Sequence, residues 1–208
     1  MGEPQTLWYK SVSLCSLWTQ LHSEHLSCIW LGRRLYDLFA GVSVPEQRFK
    51  GKALEDIVGC ESSVLPTSPC KAHDGTKKQI DSAYDVGTHL VIVECKAVAR
   101  SIAYDRGDPK AINFRQENVV ERLLTEVDEK ARWLAQHPIG RNFDISKYSD
   151  ILPIGISPFV EFMPSKRSRY WISEDYPRVL MPGKLNKILE DPSNIKNAFN
   201  RVSIMKTK

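Results

Sequence analysis

No stretch of this 208-residue chain approaches the roughly 20 consecutive apolar residues that a membrane span needs. No secretory leader is evident: the segment from Ser11 to Trp18 is too short and too polar to be one. The cysteines, Cys15, Cys28, Cys60, Cys70 and Cys95, form an odd set without regular spacing. Cys60, Cys70 and His73 lack a close Cys-x-x-Cys pair, which argues for unpaired thiols and against zinc. A reduced, cytoplasmic setting is the simplest expectation. No internal repeat, low-complexity tract or Gly-rich phosphate loop is present, so any energy-driven partner has to be a separate chain.

What is present is ordinary globular material. With 42% apolar and 26% charged residues, the chain can build a real core as one domain, or as one domain with a modest extension. The net charge of +4 is unevenly spread. Residues 161–208 carry +5 and residues 1–160 carry −1, as expected if the C-terminal quarter helps to hold a polyanion.

The most informative stretch runs from Ile80-Asp81-Ser82-Ala83-Tyr84, through the turn Asp85-Val86-Gly87-Thr88, into Leu90-Val91-Ile92-Val93-Glu94-Cys95-Lys96-Ala97. The second run reads as a strand buried on both faces that ends abruptly in Glu-x-Lys. Side chains alternate along a strand, so Glu94 and Lys96 share a face. A turn centred between Val86 and Gly87 sets Asp81 opposite Ile92 and diagonal to Glu94, about 7–8 Å away on that face. A cation with oxygen ligands bridges carboxylates set that far apart. A three-residue turn with a bulge would rotate Asp81 to the other face. Glu-x-Lys taken alone also suits a salt bridge closing a sheet edge.

Asp81 followed by Glu94-Cys95-Lys96 resembles the core of the PD-(D/E)XK nuclease superfamily, the restriction-endonuclease-like fold. The resemblance is specific over about residues 51–97, extends to about 160, and is absent before 40 and after 175. It departs from the family pattern at Ile80, where proline gives the family its name. It implies that Asp81 and Glu94 hold Mg²⁺ (or Mn²⁺), that the Cys95 carbonyl adds a metal ligand, and that Lys96 orients or activates the attacking water. Phosphodiester hydrolysis needs a hydroxide-like nucleophile and stabilised charge on phosphate oxygens, both of which a carboxylate-held hard cation supplies. A lysine beside the metal has its pKa pushed down and can share in proton transfer.

The segment Phe49 to Val58, with Gly51 and Glu55 in a Gly-x-x-x-Glu pattern, resembles the short helix before the sheet in this superfamily. There the glutamate leans over the strand ends and touches the metal shell; Glu55 is otherwise a solvated helix carboxylate. Gln116 stands where some members carry a supporting glutamine.

Elsewhere, helical spacing of Leu17, Leu21, Leu26, Ile29, Trp30, Leu35 and Leu38 predicts an N-terminal helix over about 16–39, able to pack on the core or on a partner chain. His22 and His25 sit on it as surface decoration. Ser63-Val64-Leu65 reads as a first strand within a loop-rich segment over 60–78. Arg100 and Arg106 lie in a polar loop just past Lys96, as candidate phosphate contacts or as solvated charges. Val120, Leu123, Leu124, Val127, Ala131 and Leu134 predict a long helix over about 110–136, with a solvated face that includes Arg115, Glu126, Asp128 and Lys130. Ile151 to Val160 reads as a buried strand whose Pro153 points to an irregular or edge position. Lys166, Arg167 and Arg169 interleave with Tyr170 and Trp171, as a surface for phosphates and bases or as a basic loop with tucked aromatics. A short helix begins at Pro182, and the last dozen residues read as frayed.

The expected architecture is α/β: a restriction-endonuclease-like core over 41–175, in which helices flank a central mixed β-sheet. An extra helical extension over 1–40 and a basic C-terminal extension over 176–208 complete it. The expected activity is Mg²⁺-dependent hydrolysis of phosphodiester bonds, in DNA first. The alternative is a nuclease fold that binds nucleic acid or an assembly partner without cutting, and the 16–39 helix offers a route to a homodimer or larger complex.

Overall fold

Alternation in the central hairpin is realised as two antiparallel strands, β3 (Ser82–Val86) and β4 (His89–Cys95). The computed structural model describes residues 47–59, 64–163 and 168–205. The expected 16–39 helix and 1–40 extension, with Cys60, Ser63, Lys166 and Arg167, lie outside these. Ser82 pairs with Val93 and Val86 with His89, so the two-residue turn is Gly87-Thr88 and not Val86-Gly87. Gly87 takes φ +65, the left-handed conformation a tight hairpin turn requires and glycine adopts at least cost. The register therefore differs by two positions from the expected one. Because two is the period of side-chain alternation, Asp81 keeps its face, and the register carried one residue past its last pair, Ser82 with Val93, sets it opposite Glu94 instead of diagonal to it.

Preceding the hairpin are α1 (Gln47–Gly59) and a small ribbon of β1 (Cys70–Lys71) against β2 (Lys77–Lys78). The first strand expected at Val64-Leu65 does not form. Val64 contributes a single bond, its N–H donating to the Ala83 carbonyl at 2.9 Å, and Pro66 and Pro69 withhold the donors a longer ladder needs.

After β4 come α2 (Ile102–Asp105) and α3 (Pro109–Arg115), which runs through a π-helical segment, Gln116–Glu121, into α4 (Arg122–Gln136). Asp108 caps α3 by accepting from the N–H groups of Lys110 and Ala111 at 2.8 and 3.3 Å, with Pro109 at the first helical position. The long helix expected over 110–136 is thus present, and its predicted apolar stripe is buried from Val120 to Leu134.

Strand β5 (Asp150–Ile156) runs parallel to β4 and is buried along its whole length. Its outer side is shared by β6 (Val179–Leu180), parallel, and β7 (Val202–Ser203), antiparallel. Helices α5 (Pro182–Leu189) and α6 (Pro192–Lys196) lie between these two strands in sequence. The last dozen residues are accordingly not frayed throughout: β7 joins the sheet and Ile204 is buried.

Pro153 sits in an interior strand, not an edge one. The odd-numbered N–H groups of β5 point away from β4, as Gly155 donating to the Arg178 carbonyl shows. Pro153 falls in the gap between β7 and β6, so no ladder bond to β4 is lost. The buried Arg178 guanidinium fills that gap, donating to the Pro153 carbonyl at 3.3 Å and pairing with Asp128.

The five-stranded sheet, in the order β3-β4-β5-β6 with β7 beside β5, is covered on both faces. Leu90, Ile92 and Ile151 pack under Val127, Ala131 and Leu134 of α4. On the other face, Val91, Val93, Leu152 and Ile154 meet Leu54 and Val58 of α1 and Leu185 and Ile188 of α5. Each such side chain contributes about 1.5–3 kcal/mol on burial. The result is a mixed α/β architecture with a central mixed sheet flanked by helices. Among the described residues, no helix is long and apolar enough to cross a membrane.

Candidate active site

The C-terminal end of β4 gathers the charged side chains. Glu94 is 8% exposed at the last inward position of β4, on the α4 face above Ile92. Asp81, one residue before β3, lies close enough across the hairpin for its charge to act on Glu94. One Asp81 oxygen accepts from the Cys95 backbone N–H at 2.8 Å, which fixes the carboxylate at the strand end. Lys96 extends the parallel ladder, its N–H donating to the Ile156 carbonyl at 2.9 Å, and so keeps the alternation that places its side chain with Glu94.

Helix α4 closes the site from above. Lys130 donates to Glu94, while Lys96 reaches up to Glu126 at 3.1 Å. Glu126 also accepts from Arg122 at 2.8 Å. The close seat of α4 depends on Gly155, which pairs in register with Glu94: a Cβ there would lie 2.8 Å from the Leu123 side chain. Glu55, half-buried on α1, approaches from the opposite face near enough to feel Asp81 and Lys130. Tyr84 ties that helix to β3 by donating to the Val58 carbonyl.

The electrostatics follow from burying several acids together. Burial first, and the Asp81 charge second, raise the Glu94 pKa to about 7 against the opposing pull of Lys130. Burial also raises Asp81, with the Cys95 N–H opposing. Glu55 is raised by burial and then by Asp81. Burial pushes the Cys95 thiol well up, helped by Asp81, Glu94 and Glu55. Glu126 differs: although burial pushes it up, hydrogen bonds from Arg122 and Lys96 hold it below the usual carboxylate range.

Asp81, Glu94, Lys96 and Glu55 thus meet at one place. Two participants were not legible in sequence, Lys130 and Glu126, which read there as members of a solvated helix face. The signal that finds them is their position on the α4 stripe beside Val127 and Ala131, which fixes which turn of the helix lies over the strand end. Arg115 corrects the same expectation more strongly. It is 5% exposed and forms a two-pronged pair with Glu161 at 2.5 and 2.6 Å, also donating to the Val98 and Ala99 carbonyls. It staples the segments that follow β4 and β5 to each other.

Among the expected phosphate contacts, Arg100 pairs with Asp105 and lies over the Tyr104 ring at 4.7 Å. Arg106 is exposed at the end of α2. Arg169 binds Glu121 at 2.9 Å and Thr125 at 3.0 Å. Gln116 opens the π-helical segment, its side-chain nitrogen buried and its side chain beside the Tyr170 hydroxyl.

Among the described residues, no three His, Cys, Asp or Glu groups converge into a ready cage for a metal ion. The donor chemistry nevertheless fits Mg²⁺, which keeps most of its waters and takes only one or two protein carboxylates together with substrate phosphate. Two opposed carboxylates that each resist ionisation are the arrangement a hard cation relieves.

Comparison with protein-family models, curated proteins and solved structures finds no match.

Proposed function

We propose that this protein is a Mg²⁺-dependent nuclease of restriction-endonuclease-like fold that hydrolyses phosphodiester bonds, with DNA as its first substrate. The observation that carries the reading is the convergence of Asp81 and Glu94 at the end of the hairpin, with Glu55 and Lys96 beside them. They stand at the C-terminal ends of parallel strands β4 and β5, where open α/β sheets bind ligands.

In this reading Asp81 and Glu94 hold the cation, with the Cys95 carbonyl at the same strand end. When bound, the ion lowers the pKa of a water and stabilises charge on the phosphoryl oxygens. The chain's own groups do the rest. Lys96, on leaving Glu126, orients the water and shares its proton. Lys130, on leaving Glu94, becomes a cation free to meet the phosphate. Glu55 adds an acceptor for water at the open side. Attack by the water oxygen forms an oxygen–phosphorus bond, the bond to the leaving sugar oxygen breaks, and the proton that the water gives up is returned to that oxygen through solvent.

The test is digestion of supercoiled and linear, single- and double-stranded DNA with Mg²⁺ or Mn²⁺, comparing wild type, Lys96→Ala and an EDTA control. Cleavage that needs metal and disappears in Lys96→Ala supports the nuclease. A second reading, a nuclease fold that binds without cutting, is favoured by one observation: Glu94 and Lys96 are each occupied by a charge partner from α4. No cleavage by wild type under any of these conditions, with DNA binding intact, selects that reading.

A further inference from the structure

The β1–β2 ribbon presents an arrangement that its own stability does not explain. Lys71 and Lys77 are directly opposed across the two strands, so both exposed ammonium groups stand on one face. Like charges so placed repel. Lys78, paired with the buried Cys70, turns to the other face, while Arg141 approaches from the loop after α4. None of Lys71, Lys77 and Arg141 has an acidic partner among the described residues. The acid in the ribbon turn, Asp74, is engaged elsewhere, accepting from Thr76 and pairing with His137.

The ribbon is also held rigidly. The Asn142 side chain accepts from the Lys71 N–H at 2.8 Å and donates to the Pro69 carbonyl at 3.0 Å. The Arg141 N–H donates to the Lys71 carbonyl at 2.7 Å, and its guanidinium to the His73 carbonyl at 3.1 Å. Gly140 permits this approach, since a Cβ there would lie 2.6 Å from the Lys71 carbonyl oxygen. From α4, the Trp133 indole N–H donates to Thr76 at 2.9 Å.

We propose that the β1–β2 ribbon is a preformed cradle for a nucleic-acid phosphate backbone, with Lys71, Lys77 and Arg141 gripping the strand whose scissile phosphate lies at Asp81 and Glu94. This deepens the reading of that site as one that takes nucleic acid, and rests on it. Charge complementarity selects the occupant: a fixed, unpaired set of cations matches a regularly charged polyanion. Continuity with Asp81, a few residues along the chain, gives the bound strand its direction.

The test is binding of a fluorescein-labelled DNA duplex and of a single strand, by anisotropy in EDTA over a range of salt concentrations. The variant Lys71→Gln/Lys77→Gln/Arg141→Gln is compared with Lys184→Gln/Lys187→Gln/Lys196→Gln, which removes the same charge from α5 and α6. We expect the ribbon variant to bind about tenfold or more weakly near physiological salt, and its log–log salt slope to fall by about 2–3, with the helix variant near wild type. Equal weakening by both variants, wild-type binding by the ribbon variant, or no DNA binding by wild type overturns the cradle. Cleavage is scored separately. Binding through the ribbon without any cleavage removes the nuclease and leaves the cradle. Cleavage undiminished in the ribbon variant removes the cradle and leaves the nuclease.

Discussion

Lys130 of α4 donates to Glu94, the carboxylate that ends the inward face of β4. Both side chains are largely buried, at 16% and 11% exposure, so the pair is not an ornament of the surface. Deleting one member of such a pair strands the other charge in a poor solvent. Lys130→Ala should therefore lower stability by about 1–3 kcal/mol at pH 8, measured by urea unfolding. The loss should shrink near pH 5, where Glu94 is protonated and needs no cation. An equal loss at both pH values contradicts the pairing.

Glu94 itself imposes a pH dependence of defined sign. Its folded pKa of about 7 lies above the ordinary 4.5, so the folded chain holds the proton more tightly than the unfolded chain. The stability this contributes is present in full below about pH 4.5 and is lost as pH rises through about 7. Glu94→Gln does not titrate, so its stability relative to wild type should rise across that window, by about 3 kcal/mol in all. Parallel stability–pH curves for the two proteins would show that Glu94 has no raised pKa. In the same variant, cleavage should fall to background.

Metal binding should reverse that penalty. If Asp81 and Glu94 hold a cation, Mn²⁺ at about ten times its dissociation constant stabilises the fold by about 1.4 kcal/mol, a melting shift of about 3–6 °C. Asp81→Asn and Glu94→Gln should each abolish the shift, and Lys184→Gln on α5 should keep it. The shift is read in differential scanning fluorimetry without any nucleic acid, so it tests the ligands independently of turnover.

The sequence carried much of the candidate site because strand periodicity is short and strict. Asp81, Glu94 and Lys96 share a face under any turn of even length, which is why a register displaced by two positions left the constellation intact. Helix α4 was equally legible from its apolar stripe. Its charged face was not, because spacing shows which residues point away from the core but not where an edge of the sheet lies beneath them. Lys130 and Glu126 sit over the end of β4, and Arg115 falls under the segment that carries Glu161. Strand β7 escaped notice because two residues give no period at all; it exists by pairing with Asp150 and Ile151. The cations of the ribbon were equally hidden, since their opposition depends on the pairing of Cys70 with Lys78.

The Arg115–Glu161 pair makes a prediction about stability. Glu161 also accepts from the Ser157 hydroxyl at 2.5 Å, so both of its oxygens are engaged. Glu161→Ala leaves a buried guanidinium with only the Val98 and Ala99 carbonyls, and should cost about 3–5 kcal/mol. Arg115→Met/Glu161→Leu removes both charges and should cost less than either single alanine variant, as measured by chemical denaturation. A double variant less stable than both singles contradicts the account.

Gly155 links packing to chemistry most directly. It occupies the rung beside Glu94 and faces α4, where Leu123 leaves no room for a methyl group. Gly155→Ala forces either the Leu123 side chain or the helix to shift, at about 1–3 kcal/mol. The shift is felt where α4 delivers Lys130 to Glu94 and Glu126 to Lys96, so cleavage should fall by a larger factor than the lost stability alone explains. The cleaner measurement is a double-mutant cycle with Leu123→Ala: the two changes together should cost less than their sum, because the smaller side chain makes space for the new methyl. Strict additivity, or wild-type melting and cleavage in Gly155→Ala alone, means that α4 is not seated on this glycine and that its lysine reaches the carboxylates by some other constraint.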